Sequence, residues 1–346
     1  ALPISVCSEL EMRKEYLGGE TIETIYWGGG TPSQLDKEDF ETIFYYLHKN
    51  YSISSHPEIT LEANPDDLTP DYIAMLRTLP FNRLSMGIQT FNESILKVLQ
   101  RRHTARQAIE AFQNCRAAGF QNISIDLMYG LPGETLSTWQ QDLDQALLLH
   151  PEHLSAYHLI YEEDTVLWKL REQHKVEEAD EDLSVSLFST LIDRLTSEGY
   201  DHYEISNFSL PGLYSRHNSS YWTEKKYLGC GPSAHSYNGV SRQWNVASLD
   251  TYIKGISAGT PVFEIEELDL YTRYNDFVIT RIRTEWGMPL SKLRDEFGEK
   301  LYDYCLRMAA PHLKQGTLEL VNDILKLTRK GIFISDGIMS DMLWTD

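Results

Sequence analysis

The apolar positions of this 346-residue chain alternate between short continuous runs and longer periodic stretches. Glu23–Trp27, Glu58–Glu62, Asn82–Ile88, Ile123–Tyr129 and His153–Ile160 are compact runs with a β-branched and aromatic bias, and each predicts a strand. Between them, apolar residues recur every three or four positions, as in helices that bury one face. Ser33–Asn50 has Phe40, Ile43, Phe44 and Leu47 on one side and Asp36 as an N-cap, and a helix capped by Thr69, with Pro70 at its first position, runs to Thr78. Asn92–Gln100, Thr104–Ala118 and Leu136–His150 continue the series, and Leu2–Glu15 forms a helix ahead of the first strand. Strand and helix at this spacing predict a parallel sheet with right-handed crossovers.

After Ile160 the period changes. Glu163–Val176 and Glu181–Ser197 read as helices and Tyr200–Ile205 as one more strand. Ser206 to about Val246 is irregular and aromatic-rich, and loops this long inside a domain are usually functional. From about Glu266 the pattern is helical, ending in a hairpin over Leu318–Leu327 and a short helix: a winged-helix-like module read as packing or partner surface. The chain thus divides into blocks 1–205, 206–265 and 266–346.

The chemistry gathers at strand ends. The first strand stops on Gly28-Gly29-Gly30-Thr31-Pro32, and bare backbone of that kind lets a ligand approach closely with N–H groups facing it. Taken singly, Thr31, Glu62, Gln89 and Asp126 are ordinary cap or loop residues; together they fall at or just past the carboxyl ends of four successive strands, the edge where such sheets bind ligands.

Charge narrows the partners. With 31 basic and 51 acidic residues the formal charge is −20, which argues against nucleic acid as a partner and requires local cations for any anionic ligand. No run approaches the roughly 18 apolar residues of a membrane span and no signal peptide is visible, so a cytoplasmic protein is expected. Cys7, Cys115, Cys230 and Cys305 lie far apart, no pair has metal-ligand spacing, and reduced, mostly buried thiols are expected.

Five stretches are recognisable in order: Tyr26–Ser33 (YWGGGTPS), Leu61–Pro65 (LEANP), Ser85–Phe91 (SMGIQTF), Leu99–His103 (LQRRH) and Ile125–Gly133 (IDLMYGLPG). Together they resemble the radical S-adenosylmethionine family of oxygen-independent coproporphyrinogen III oxidases and the related bacterial haem chaperones. The resemblance implies a partial (β/α)6 barrel, with S-adenosylmethionine across its carboxyl edge on a 4Fe-4S cluster. Gly29, Gly30 and Thr31 would meet the methionyl end and Glu62 the amino or ribose portion. Gln89, Arg101 and Asp126 would hold carboxylate and ribose hydroxyls, and the backbone near Ile160 would flank the adenine. The cluster's CxxxCxxC motif is not in this chain; the expectation is an amino-terminal segment omitted or lost, and no metal ligand is named.

Within the family, His217-Asn218-Ser219-Ser220-Tyr221-Trp222 matches the HNxxYW pattern of the chaperone branch. His217, Tyr221 and Trp222 would offer haem an axial nitrogen and flat apolar surfaces, with His235 a further candidate. A haem carrier that passes its cargo to acceptor proteins, membrane-associated ones included, is the favoured expectation. The alternative is oxidative decarboxylation of coproporphyrinogen III to protoporphyrinogen IX. A barrel hydrolase using Glu62 and Asp126 as its acid–base pair leaves the glycine triplet and Gln89 without a role.

Overall fold

Side-chain caps set where the helices begin. Asp36 accepts the Asp39 N–H (2.9 Å), Thr69 accepts that of Tyr72 (3.3 Å), and Thr104 forms a capping box with Gln107. The computed structural model describes residues 1–345. In chain order it contains α1 (Leu2–Met12), β1 (Ile22–Trp27), α2 (Lys37–Asn50), β2 (Ile53–Ala63), α3 (Pro70–Leu76), β3 (Arg83–Gln89), α4 (Glu93–Val98), α5 (Ala105–Ala117), β4 (Ile123–Tyr129), α6 (Leu136–Leu149) and β5 (His153–His158). There follow α7 (Val166–Glu172), α8 (Glu181–Ser197), β6 (Asp201–Glu204), β7 (Asn207–Ser209), α9 (Arg216–Trp222), β8 (His235–Tyr237), β9 (Ser241–Asn245), α10 (Leu249–Ser257) and β10 (Phe263–Glu267). The chain ends with α11 (Leu270–Ile282), β11 (Met288–Pro289), α12 (Leu290–Gln315), β12 (Leu318–Val321), β13 (Ile324–Leu327), α13 (Arg329–Ile332) and α14 (Ser335–Met342).

The residues group into two compact units: 24–35 with 58–215, and 1–23 with 36–57 and 216–346. Grouping by contact interleaves segments that the three sequence blocks keep apart. The first of these units carries a seven-stranded half-barrel sheet in the order β1-β2-β3-β4-β5-β7-β6. Strands β2 to β5 run parallel, as the alternation predicts. The expected single strand Tyr200–Ile205 is instead a hairpin, β6 and β7, antiparallel to each other, with β7 antiparallel to its neighbour β5. A turn of only two residues, Ile205 and Ser206, returns the chain antiparallel, so the sheet is mixed at that edge.

Period-two alternation splits this sheet into two chemistries. Leu61, Leu84, Met86, Ile88, Ile125, Leu127, Leu154 and Ala156 are buried on one set of positions. The alternate positions carry Thr60, Glu62, Arg83, Ser85, Ser124, Asp126, His153 and Ser155. Such a polar inner face is not what a structural core needs, and it leads upward to the strand ends named above.

The other unit joins α1 to α2 and α10, and holds the antiparallel sheets β10-β9-β8 and β11-β13-β12. Its helical carboxyl-terminal part packs α11, α12 and α14 around Tyr274, Phe277, Val278, Leu293 and Ile338. The hairpin turns on Asn322 and Asp323, both at positive φ (49° and 71°), as a two-residue connection requires. The stretch expected to be irregular, 206–246, contains β7, α9, β8 and β9. Fully buried Glu9 orders part of it, accepting from the Gly231 N–H (2.9 Å), Asn245 (2.8 Å) and Tyr252 (2.7 Å). Among the described residues no helix is long and apolar enough to cross a membrane.

Candidate functional site

The glycine turn is shaped by what lies beneath it. Tyr26, on the inner face of β1, donates its hydroxyl to Glu62 Oε1 (2.6 Å), and the Gly29 N–H donates to Glu62 Oε2 (3.1 Å). Burial, then the Glu62 charge, hold the Tyr26 phenol well above its ordinary pKa, so it stays a donor. A Cβ on Gly28 would stand 2.5 Å from the Tyr26 ring and 2.8 Å from Glu62 Oε1, which admits only glycine. Gly29 and Gly30 take φ of +74° and +63°, and a Cβ on either would meet no atom within 4 Å. The turn is thus strained for other residues and open above. Beyond it, Ser33 (2.6 Å) and Gln34 (2.5 Å) donate to Asp67, which also receives Arg102 (3.1 Å).

Arg101 is aimed by the end of α4. Gln100 takes the left-handed conformation (φ 54°) and the Arg101 N–H closes onto the Leu96 carbonyl (2.9 Å). Its guanidinium then donates through Nη2 to Asn64 Oδ1 (2.7 Å) and the Gly87 carbonyl (2.9 Å), while Nε is buried with no protein partner. Gln89, at φ +71° beside a register shift between Gly87 and Gln89, brings its amide over Gly87, where a Cβ would meet Gln89 Nε2 at 3.1 Å and Arg101 Nη2 at 3.5 Å. Positive φ at a non-glycine strand end is a strain that functional sites tend to hold. Below, Ser85 donates to Asp126 (3.3 Å). Burial, then the Glu62 charge, push the Asp126 carboxyl up to about 6.

Thr31, Gln34, Asn64, Asp66, Gln100, Arg101 and Arg102 line a cavity of about 320 Å³. The structure brings Gly29, Gly30, Thr31, Glu62, Gln89 and Arg101 to the carboxyl edge of the sheet, whereas Asp126, expected there too, lies inside β4 on its polar face, paired with Gly87 and Ser155. Ile160 lies two residues past β5 and is 75% exposed. Sequence reasoning missed Tyr26, Asn64 and Arg102. Alternation alone would have found Tyr26, which shares a face with Gly28, and Asn64 stands two places after Glu62.

A carboxylate also pins each of two neighbouring loops. Glu134 accepts the N–H of Gly130 (2.7 Å) and Leu131 (3.3 Å), and Asp142 on α6 accepts the Thr90 hydroxyl (2.5 Å) and the Phe91 N–H (2.9 Å), just past Gln89. Burial raises Glu134 to about 7 and Asp142 to about 6. Both raised values mean that the folded state holds these protons more tightly than the unfolded chain. Their contribution is fully present below the unfolded pKa and lost as pH rises through the folded one, which for Glu134 is the window from 4.5 to about 7. Thermal stability is expected to fall across that window. Glu134→Gln, which keeps an acceptor oxygen without the charge, should flatten the fall in calorimetric scans between about pH 5 and about pH 8.

The other motif lies in the second unit, on α9. His217 and Tyr221 stand one turn apart, with His217 Nε2 2.8 Å from the Tyr221 hydroxyl and their rings edge-to-face at 5.1 Å. Trp222 carries the Arg283 guanidinium over its ring at 4.2 Å. His235 is exposed on β8 and stacks on Trp244 at 6.1 Å.

For S-adenosylmethionine, the residues present fit. An open glycine cradle and a buried, unpartnered Arg101 Nε are a ready receptor for an amino-acid carboxylate. For the 4Fe-4S cluster they do not. Among the described residues no group of three or more His, Cys, Asp or Glu could hold a metal. Burial raises all four thiols, Cys115 to about 12 and Cys305 to about 11, away from the thiolate that iron needs.

The Radical SAM superfamily profile matches residues 7–146, and the HemN C-terminal domain profile matches residues 268–334. Curated relatives named Heme chaperone HemW align along nearly the whole chain. The one from Mycobacterium tuberculosis is 31% identical over 341 residues, 98% of this chain and 85% of its own. Those from Lactococcus lactis and Bacillus subtilis are 32% and 30% identical, each over 94% of this chain and 86% of theirs. Among solved structures, coproporphyrinogen III oxidase (HemN) from Escherichia coli superimposes with a TM-score of 0.84 at 22% identity, covering 99% of this chain and 82% of that one; it shares the fold.

Proposed function

The chain belongs to the HemW-type haem chaperone family of radical S-adenosylmethionine proteins, and from that membership we propose that it carries haem and hands it to acceptor proteins. The observation that carries the reading is the alignment, at 31% identity over 98% of this chain, with a relative named for that role. The HNxxYW helix supports it by placing His217 and Tyr221 one turn apart on α9, with Trp222 next to Tyr221. Haem would lie against this helix, with the aromatic rings as its apolar surface.

The cleft at the strand ends is the S-adenosylmethionine site in this reading. Arg101 Nε pairs with the methionyl carboxylate, while Asn64 and the Gly87 carbonyl hold the guanidinium still. Gly29, Gly30 and Thr31 line the approach to the methionyl end. Glu62 faces the ligand's ammonium or ribose, a role in which the ligand competes with the Gly29 N–H. Gln89 and Asp126 accept hydroxyls, and the backbone near Ile160 flanks the base. Bound there, the cofactor supplies the reductively cleavable sulfonium on which the family's chemistry rests. No step is assigned through the cluster, whose ligands these residues do not provide.

Titrating the protein with haem and following the Soret band tests the carrier role. Saturable binding is expected, weakened by His217→Ala through loss of a group that this reading places beside the iron. Absence of any spectral change with the unaltered protein would rule the role out. Conversion of coproporphyrinogen III to protoporphyrinogen IX by the same protein would favour an oxidase instead.

A further inference from the structure

We propose that Tyr221, not His217, is the residue that ligates the haem iron, with His217 taking up the phenolic proton. The proposal rests on the haem-carrier reading above and refines the site that reading uses. Three observations on α9 lead to it. First, His217 Nε2, the imidazole nitrogen farthest from the backbone and the one usually offered to a metal, is already engaged, 2.8 Å from the Tyr221 hydroxyl. Second, the tyrosine is the exposed member of the pair, with 37% of its surface open, whereas His217 is half-buried behind it. The tyrosine is therefore the member of the pair more open to solvent. Third, the Tyr221 ring is held edge-on against Tyr227 (centroids 4.8 Å apart) as well as against His217, so the oxygen has a fixed direction.

A neutral phenol is a weak ligand, because the anion is the form that binds iron. The adjacent imidazole removes that obstacle. With its own proton on Nδ1, His217 presents a lone pair at Nε2 toward the Tyr221 hydroxyl. The Tyr221 O–H bond breaks and its proton passes to His217 Nε2. The electron pair left on oxygen forms the Fe–O bond, and the iron stays ferric throughout. One consequence follows for a carrier. A hard, anionic oxygen prefers ferric to ferrous iron, so reduction of the cargo loosens the grip of the site.

Resonance Raman spectra of the ferric haem complex, made with ordinary and ring-deuterated tyrosine, decide the point. The expected result is a set of iron–phenolate bands in the unaltered protein that shift with the label. Tyr221→Phe, which keeps both ring contacts, should lose those bands and weaken ferric haem binding by more than ~100-fold, beyond the ~10–100-fold typical of a group that only supports a ligand. His217→Ala should retain the bands while binding falls within that smaller range, and Tyr221→His should replace them with a nitrogen-ligated spectrum. Ferrous haem should bind at least ~10-fold more weakly than ferric. Haem binding without label-sensitive phenolate bands would overturn the ligand assignment and leave the carrier reading standing. No haem binding at all would overturn both. The label shift is read on the unaltered protein, so it does not depend on any variant folding.

Discussion

Replacing Gly28 by alanine should remove S-adenosylmethionine binding and lower the melting temperature by about 1–4 °C. The added Cβ would lie 2.5 Å from the Tyr26 ring and 2.8 Å from Glu62 Oε1. The carboxylate is the free end of a flexible side chain and can withdraw, but the ring cannot, because its hydroxyl and its burial on the inner face fix it. Relief therefore means moving the glycine turn outward or breaking the Tyr26–Glu62 hydrogen bond. Overpacking of this kind costs about 1–3 kcal/mol, which for a chain of this size is about 1–2 °C per kcal/mol. Binding suffers more than stability, since Gly29 and Thr31 move with the turn that must give way. Equilibrium dialysis with the cofactor, beside differential scanning calorimetry, separates the two effects. Gly29→Ala makes the contrasting case. Its Cβ would meet nothing within 4 Å, so its cost is the left-handed backbone alone, about 1–2 kcal/mol. Unchanged affinity in Gly28→Ala would mean that the turn is not part of the receptor.

The sites where this strain is stored are also the sites that a sequence shows best and least. The glycine triplet is visible as an anomaly because no ordinary turn needs it, and Thr31, Glu62 and Gln89 are visible because each falls at or past the end of a predicted strand, whereas Asp126 stands inside β4 as a charge interrupting an apolar run. Strand β4 is found where the pattern puts it, and β1 and β3 begin one residue away, since each is a short run of strand-forming residues bounded by turn signals. Other features are hidden for physical reasons. The segment Ile53–Pro57 extends β2, but its two serines and a histidine break the apolar signal. Strand β10 lies within reach of the pattern, since Phe263 and Ile265 alternate with Glu264 and Glu266, although all five of its residues are exposed. Order in the 206–246 stretch comes partly from Glu9, more than two hundred residues away in the chain, and no local pattern reports such a contact. Arg101 shows the limit most clearly. Its place in an Arg-Arg-His run identifies a cation after a helix, but the resemblance to a known family supplies the role, and only the coordinates show that Nε lacks a partner.

Arg101→Met is expected to weaken S-adenosylmethionine binding by about 30- to 160-fold, and Arg101→Lys by nearly as much. The methionine fills most of the volume of the arginine stem but offers no donor, so the ligand carboxylate would lose a charge-assisted hydrogen bond worth about 2–3 kcal/mol. Lysine keeps the charge, yet one ammonium cannot reproduce the geometry. In the native site the planar guanidinium uses Nη2 for Asn64 Oδ1 (2.7 Å) and the Gly87 carbonyl (2.9 Å), leaving Nε on another edge for the ligand. A lysine that satisfied the strand-end acceptors would turn away from the ligand, and one that reached the ligand would leave those acceptors unpaired. The overall charge of −20 sharpens the effect, because Arg101 and Arg102 are the cations that line this cavity and Arg102 is already paired with Asp66 (2.9 Å) and Asp67 (3.1 Å). Arg102→Met should accordingly cost the ligand much less, with its main effect on the loop that Asp67 holds. Calorimetric titration of the three variants under one buffer condition ranks them, and comparable losses for Arg101→Met and Arg102→Met would mean that a diffuse positive field, and not the Nε donor, receives the carboxylate.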